Sequence, residues 1–246
     1  MTRIEWTDES WNPVTGCTKV SQGCKNCYAE RMAHRQGIEF ARVQLHPERL
    51  DTPLHWRKPR KVFVNSMSDL FHEKVPGDFI ASVFCKMWGN QRHIFQVLTK
   101  RPARMRDFCL QCKANWPLKN VWLGVSVEDQ KTANERIPLL LQTPAALRFV
   151  SVEPILGPVD LIGPGYFRDP KFNQAGGLVG LDWVIVGGES GPNAKPCEIG
   201  WIEDVVGQCT MAGVPVFVKQ DSGRFPGKQG RIPDYLWQYK QYPEEQ

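Results

Sequence analysis

From residue 61 onward, short runs of β-branched and aromatic residues alternate with longer stretches whose apolar positions recur at helical spacing. The runs fall at 61–66, 92–99, 120–127, 147–152, 182–187 and 215–219, and their length and Val, Ile and Phe content predict six strands. A stretch at 3–6 offers a seventh. Between the runs, the periodicity predicts helices at 27–37, 77–90, 102–115, 129–142 and 200–212, the last stopped by Gly213 ahead of Pro215. Such alternation is the sequence signature of βα units and a parallel sheet, so the chain reads as α/β.

Each run passes into polar or glycine residues at its C-terminal end: Asn65-Ser66-Met67-Ser68-Asp69, Thr99-Lys100-Arg101, Ser126-Val127-Glu128, Ser151-Val152-Glu153, Gly187-Gly188-Glu189-Ser190 and Lys219-Gln220-Asp221. Loops after strands are polar in any fold. In a parallel βα barrel, however, these ends meet at one mouth, where such folds place their chemistry. The pattern therefore predicts a partial (βα)6 barrel of TIM type, with a cysteine-bearing loop at 12–30, the partial barrel at 61–221 and a covering segment at 222–246 that packs aromatics including Tyr235 and Trp237. The Gly- and Pro-rich stretch 155–181 reads as an extended and mobile excursion within it.

At 246 residues and 41% hydrophobic composition the chain is long enough for one sizeable core, so a single domain over 1–246 is expected. No apolar run approaches the roughly 18 residues of a membrane span. The N-terminus lacks the apolar stretch of a signal peptide, and a cytoplasmic location is expected. In that setting eight cysteines point to metal or redox chemistry rather than to disulfides. A net charge of +5 permits a polyanionic partner, and its local concentrations are Arg57, Lys58, Arg60 and Lys61, then Lys100, Arg101, Arg104 and Arg106.

Cys17, Cys24 and Cys27 carry the most specific chemistry, three thiols spaced Cys-x6-Cys-x2-Cys in a loop that also holds Gly16 and Gly23. Thiolates suit iron-sulfur clusters and zinc, and glycines let backbone wrap a cofactor. Structural zinc and electron-transfer cubanes use four protein ligands, whereas three thiols on a cubane leave one iron open. Zinc completed by a distant His or Cys, and three unliganded buried thiols, stay open as alternatives.

The constellation resembles the radical S-adenosylmethionine (SAM) superfamily, in which three cysteines after the first strand hold a 4Fe-4S cluster and SAM chelates the open iron. The first gap here is longer than the Cys-x3-Cys-x2-Cys usual there, and Asn26 stands where an aromatic residue is usual. Six blocks, 11–17, 23–30, 97–102, 122–128, 149–154 and 186–191, resemble a phage-associated three-cysteine-motif family of that superfamily. The resemblance implies a partial barrel of radical SAM type and reductive SAM cleavage to a 5′-deoxyadenosyl radical that abstracts hydrogen.

Under that reading, Asn65 and Ser66 are expected near the methionyl end of SAM, and Ser126, Glu128, Ser151 and Glu153 as further cofactor contacts. Gly187 and Gly188 would allow close ligand approach. Lys100 and Arg101, like Lys219, are candidates to hold a carboxylate or phosphate of the substrate, against the alternative of solvated cations. Cys109 and Cys112, which Cys85 could approach, read as buried thiols, and the five histidines have no ligand spacing. With Trp56 beside the first basic run as a stacking platform, DNA or a modified nucleotide is the expected partner. Rearrangement of a substituent on modified thymine in phage DNA is the preferred reaction. Base repair of the photoproduct-lyase kind, and a non-enzymatic zinc- or cluster-stabilised nucleic-acid module, are the alternatives.

Overall fold

The structure, a computed structural model, describes residues 4–112, 116–168 and 180–243. In chain order the strands are β1 (Glu9–Trp11), β2 (Val14–Thr15), β3 (Gln44–Leu45), β4 (Lys61–Val64), β5 (Ile94–Thr99), β6 (Val121–Val127), β7 (Leu147–Val152), β8 (Trp183–Gly187) and β9 (Val216–Gln220). The helices are α1 (Tyr28–Arg35), α2 (Gly77–Trp88), α3 (Pro102–Gln111), α4 (Gln130–Leu141), α5 (Ile199–Ala212) and α6 (Asp234–Trp237). Seven strands hydrogen-bond in the order β1-β4-β5-β6-β7-β8-β9, while β2 and β3 form a separate antiparallel ribbon. The pairings of β1 with β4, β4 with β5, β7 with β8 and β8 with β9 are all parallel.

The six expected strands and five expected helices are present, but among the described residues the main sheet has seven strands. The added strand is β1, not the stretch at 3–6, of which residues 5 and 6 are turn and residue 3 lies outside the described residues. Residues 113–115 of the expected third helix also lie outside them. Three residues of β1 are too few to show an alternating pattern, and they are held by pairing with β4 rather than by their own propensity.

The chain divides into two compact units, one formed by residues 1–124 with 143–146 and the other by 125–142 with 147–246. In the first, Trp6, Trp11, Phe63 and Phe95 are buried around β1, β4 and β5. Phe84 of α2 meets Phe71, Phe108 of α3 and Trp116 at ring-centroid distances of 6.3, 5.4 and 5.1 Å. Offset and tilted pairs of this kind add about 0.5–1.5 kcal/mol each beyond the area they bury.

In the second unit β7 and β8 are buried along their whole length, as parallel strands covered on both faces are. Helix α4 starts on a capping box, the Asp129 carboxylate accepting from the Thr132 amide and the Thr132 hydroxyl accepting from the Asp129 amide. Helix α5 ends where Gly213 takes the left-handed conformation, φ 66°, and the Val214 amide donates to the Cys209 carbonyl. Within the Gly- and Pro-rich stretch, Ile155, Val159, Leu161 and Phe167 are buried, and the amides of Ile155 and Leu156 donate to the carbonyls of Gly187 and Glu128. Its described part is therefore packed, and residues 169–179 lie outside the described residues. Among the described residues no helix is long and apolar enough to cross a membrane.

The covering segment does pack aromatics, though not the expected Tyr235. That ring is 53% exposed and only its hydroxyl is used, donating to Glu203 at 2.9 Å. Tyr242 does the packing, against Trp183 and Phe217, and Lys240 lies 3.5 Å from the centroid of Trp237.

The segment is anchored where Arg231 clamps the buried Asp221 carboxylate, its Nη2 reaching Oδ1 at 2.8 Å while its Nε and amide reach Oδ2 at 2.9 and 2.7 Å. Burial works against the Asp221 charge, but the Arg231 and Ser222 hydrogen bonds outweigh it and hold the carboxyl below the usual range. A depressed pKa stabilises the fold above the ordinary aspartate value of about 3.9, and the contribution disappears as pH falls through the folded-state value. The stability gap between wild type and Asp221→Asn should thus be open at neutral pH and close in acid, as read by denaturant unfolding across pH. A gap that stays constant with pH would remove this anchor.

Candidate functional site

The cysteine loop grows out of the C-terminal ends of β1 and β4. The Asn12 side-chain oxygen accepts from the Ser66 hydroxyl at 3.2 Å and the Met67 amide at 3.0 Å, and the Asn65 side-chain oxygen accepts from the Val14 amide at 3.3 Å. The Ser68 hydroxyl donates to the Val14 carbonyl, and the Gly16 amide to that of Met67. The chain then turns at Gly16, φ 84°, where a Cβ would fall 2.2 Å from the Arg42 carbonyl oxygen. Only glycine fits that turn.

Beyond it, Cys17 and Cys27 pack on a small cluster of Ala29, Ala33 and Phe40. Cys24 ends a 3-10 turn, its sulfur 4.0 Å from the Ser21 hydroxyl. Helix α1 starts directly after Cys27, and the Tyr28 hydroxyl donates to the Ser66 carbonyl. All three thiols are free and half-buried. Among the described residues no three His, Cys, Asp or Glu side chains are grouped so as to hold a metal ion. The donor set nevertheless has the chemistry of an iron-sulfur loop, and a buried polar atom beside it lacks a partner. Asn65 is 2% exposed and held at φ 63°, and its side-chain amide nitrogen has no partner among the described residues. A buried donor without a partner is costly, and a bound ligand is one way to satisfy it.

Against the same loop lies a polar network centred on Asp69 and Arg101. The buried Asp69 carboxylate accepts from the Thr99 hydroxyl at 2.7 Å, the Phe71 amide at 2.9 Å, the Lys100 amide at 3.0 Å and Arg101 Nη1 at 3.3 Å. Arg101 spends its remaining donors on Glu73 (Nε, 3.2 Å), on the Cys17 sulfur (Nη1, 3.6 Å), and on the Thr18 carbonyl and hydroxyl (Nη2, 3.1 and 2.9 Å). Expected at a substrate anion, this guanidinium instead holds the cysteine loop. Burial opposes its charge, while Asp69, Cys17 and Glu73 more than restore it and raise its pKa. Burial first and Asp69 second push the Cys17 thiol up to about 11, with Arg101 acting in the opposite direction. His72 is fully buried and its pKa is lowered by burial and then by Arg101, so the ring is neutral. Its Nδ1 accepts from the Lys74 amide, which places the proton on Nε2, 2.8 Å from the Thr18 hydroxyl.

The other expected site residues belong to the second unit. Glu128, 1% exposed, accepts from Arg136 Nη1 at 3.2 Å, and the same nitrogen donates to the Ser126 carbonyl at 2.6 Å. Glu153 pairs with Lys219 at 2.6 Å. Ser126 and Ser151 are buried. A Cβ on Gly188 would come within 2.4 Å of the Ser222 amide and hydroxyl, and one on Gly187 within 3.3 Å of Gln220. The chain's own packing against the end of β9 already requires glycine at 188. Each of these strand ends is thus engaged by an internal partner.

The family profile described as "Protein of unknown function (DUF5131)" matches residues 1–233. The chain belongs to the DUF5131 family. No curated protein matches it. Among solved structures it is similar to one described as "Spore photoproduct lyase complexed with dinucleoside spore photoproduct", at 11% identity and a TM-score of 0.46. That match covers 71% of this chain and 54% of the other, so it spans about half of that protein. The family shown is DUF5131, and the phage-associated three-cysteine family stays a resemblance.

In this DUF5131 protein the two basic runs do not make one phosphate stripe. Arg57 and Lys58 are exposed just before β4, at the opposite strand end from the cysteine loop, and Arg60 is taken by Glu9 at 2.8 Å. Trp56 is already faced by Arg60 and meets His93 edge-on at 5.8 Å. In the second run, Arg101 and Arg104 bond to the chain itself, the latter to the His72 and Val75 carbonyls, and Arg106 pairs with Asp107. Cys109 is buried, with its thiol pKa raised by burial, Cys112 is half-buried, and Cys85 is exposed.

Reading the sequence missed Thr18, Asp69 and His72. Asp69 carried a usable signal, since Asp favours Asx turns and it stands in the turn segment that follows β4.

Two substitutions test this architecture. Gly16→Ala should cost at least about 1–2 kcal/mol from backbone conformation alone, with the carbonyl clash added, measured by chemical denaturation. Unchanged stability would mean that the turn is not tight. Arg136→Met deprives the buried Glu128 of its cation and should cost about 3–5 kcal/mol, most of it recovered in the Glu128→Gln/Arg136→Met double variant. Equal losses in the single and double variants would show that the two do not act as a pair.

Proposed function

We propose that this DUF5131 protein is a radical SAM enzyme whose Cys17, Cys24 and Cys27 hold a 4Fe-4S cluster. One observation carries the reading: three reduced thiols lie on a loop wrapped at Gly16, directly beside the buried Asn65 amide whose nitrogen has no partner among the described residues. When bound, such a cluster supplies the electron that splits SAM into methionine and a 5′-deoxyadenosyl radical, and that radical takes a hydrogen atom from the substrate.

The chain's own residues supply position. Asn65 offers its side-chain amide as a donor to the amino-acid end of SAM, and the Ser66 hydroxyl, whose proton goes to Asn12, offers its oxygen as an acceptor there. Asn12 and Tyr28 fix Ser66 and Met67 for that task. The buried network of Asp69, Thr99 and Arg101 holds the loop from behind. Glu128 and Glu153 enter the reading as partners of Arg136 and Lys219, not as cofactor ligands. With Arg101 and Arg104 committed internally, nothing in the site favours rearrangement of a thymine substituent over any other substrate.

Anaerobic reconstitution decides the matter. Wild-type protein should take up about four irons and four sulfides per chain, and should produce 5′-deoxyadenosine and methionine from SAM under a strong reductant. Cys17→Ala, Cys24→Ala and Cys27→Ala should each lose both properties. Uptake of a single zinc in place of iron, or a cluster that yields no 5′-deoxyadenosine, would overturn the reading.

A further inference from the structure

Arg101 is anchored by several partners in the first unit, and its contacts converge on the cysteine loop. Its side chain is 12% exposed, with Asp69 (8%) behind it and Glu73 (63%) at the rim. One arm of the guanidinium meets the Cys17 sulfur at 3.6 Å, and the other meets the Thr18 carbonyl at 3.1 Å and hydroxyl at 2.9 Å. The Cys17 thiol itself donates to that same carbonyl at 3.5 Å. A cysteine that binds metal gives up its proton. Here that loss leaves the Thr18 carbonyl satisfied, because Arg101 already donates to it, and leaves the sulfur accepting from a charged donor. The loop is thus arranged in advance for a metal-bound Cys17.

We propose that Arg101 is a positioning residue for the cluster, fixing where Cys17 presents its sulfur and raising the cluster's reduction potential through an N–H···S hydrogen bond, an inference that rests on the iron-sulfur reading of the same loop. Hydrogen bonds to ligand sulfur and nearby net charge are among the levers that set the potential of an iron-sulfur centre. Asp69 partly offsets the charge, so the directed N–H···S contact is the larger contribution. Lysine cannot replace it fully. A single ammonium paired to Asp69 lacks the planar fork that reaches Thr18 and Cys17 together.

The test uses reconstituted wild type, Arg101→Lys and Arg101→Gln, with iron and sulfide content measured and the reduction midpoint followed by electron paramagnetic resonance. In Arg101→Gln the reduced-to-oxidised ratio at a given poise should fall about tenfold, equal to about 59 mV for a one-electron couple, because the lost hydrogen bond is stronger to the more negative reduced cluster than to the oxidised one. Arg101→Lys should fall by less. Because it keeps a cation for Asp69, it decides the question if the glutamine variant does not fold. A lysine variant that loads its cluster and matches the wild-type midpoint overturns the role of Arg101 while leaving the cluster reading intact. Wild type that loads no iron and sulfide overturns that reading, and this one with it.

Discussion

The cysteine loop depends on one buried ion pair, Asp69 with Arg101. Taking a carboxylate and a guanidinium out of water costs several kcal/mol per ion, and their attraction repays it only when the remaining donors and acceptors are satisfied. Here they are satisfied by the residues that shape the loop: Thr99 and the amides of Phe71 and Lys100 on Asp69, then Thr18 and Cys17 on Arg101. Through Arg101 the pair is tied to the first cysteine. His72, neutral and fully buried, holds the Thr18 hydroxyl from the other side and leaves the loop little freedom there.

The same economy recurs in the second unit. Arg136 closes on Glu128, Lys219 on Glu153 and Arg231 on Asp221, each pair at or just beyond the C-terminal end of a strand. Charges at strand ends thus have two physical uses, and only coordinates separate them. Those that stabilise the fold face a counter-ion of the chain, whereas a group meant for a ligand is left unsatisfied. By that measure Asn65 is the outstanding candidate, because its backbone is strained, its side chain is buried and its amide nitrogen has no partner among the described residues.

The sequence was most legible where a local rule is strong. Strands Leu147–Val152 and Trp183–Gly187 are rich in β-branched and aromatic residues, and helix α5 has its glycine stop, so the sequence pattern located them within a residue or two. Strand β1 was illegible because three residues paired at an edge carry no periodic signal, and the β2–β3 ribbon because its strands have two residues each. The site was half legible. Cysteine spacing announced the loop, yet a polar residue after a strand reads the same whether it meets a ligand, as proposed for Asn65, or an arginine, as Glu128 does. Gly188 shows the same ambiguity, since the glycine reads as room for a ligand while the group that approaches it is Ser222 of the chain itself.

The central claim is that three cysteines of this loop hold a cubane with one iron left for SAM. Mössbauer spectroscopy of the reconstituted protein, recorded with and without SAM, tests it most directly. One iron site of the cluster should change its isomer shift and quadrupole splitting when SAM is added, while the other sites keep theirs. A spectrum that SAM leaves unchanged would contradict the account, because every iron would then already have its full set of ligands.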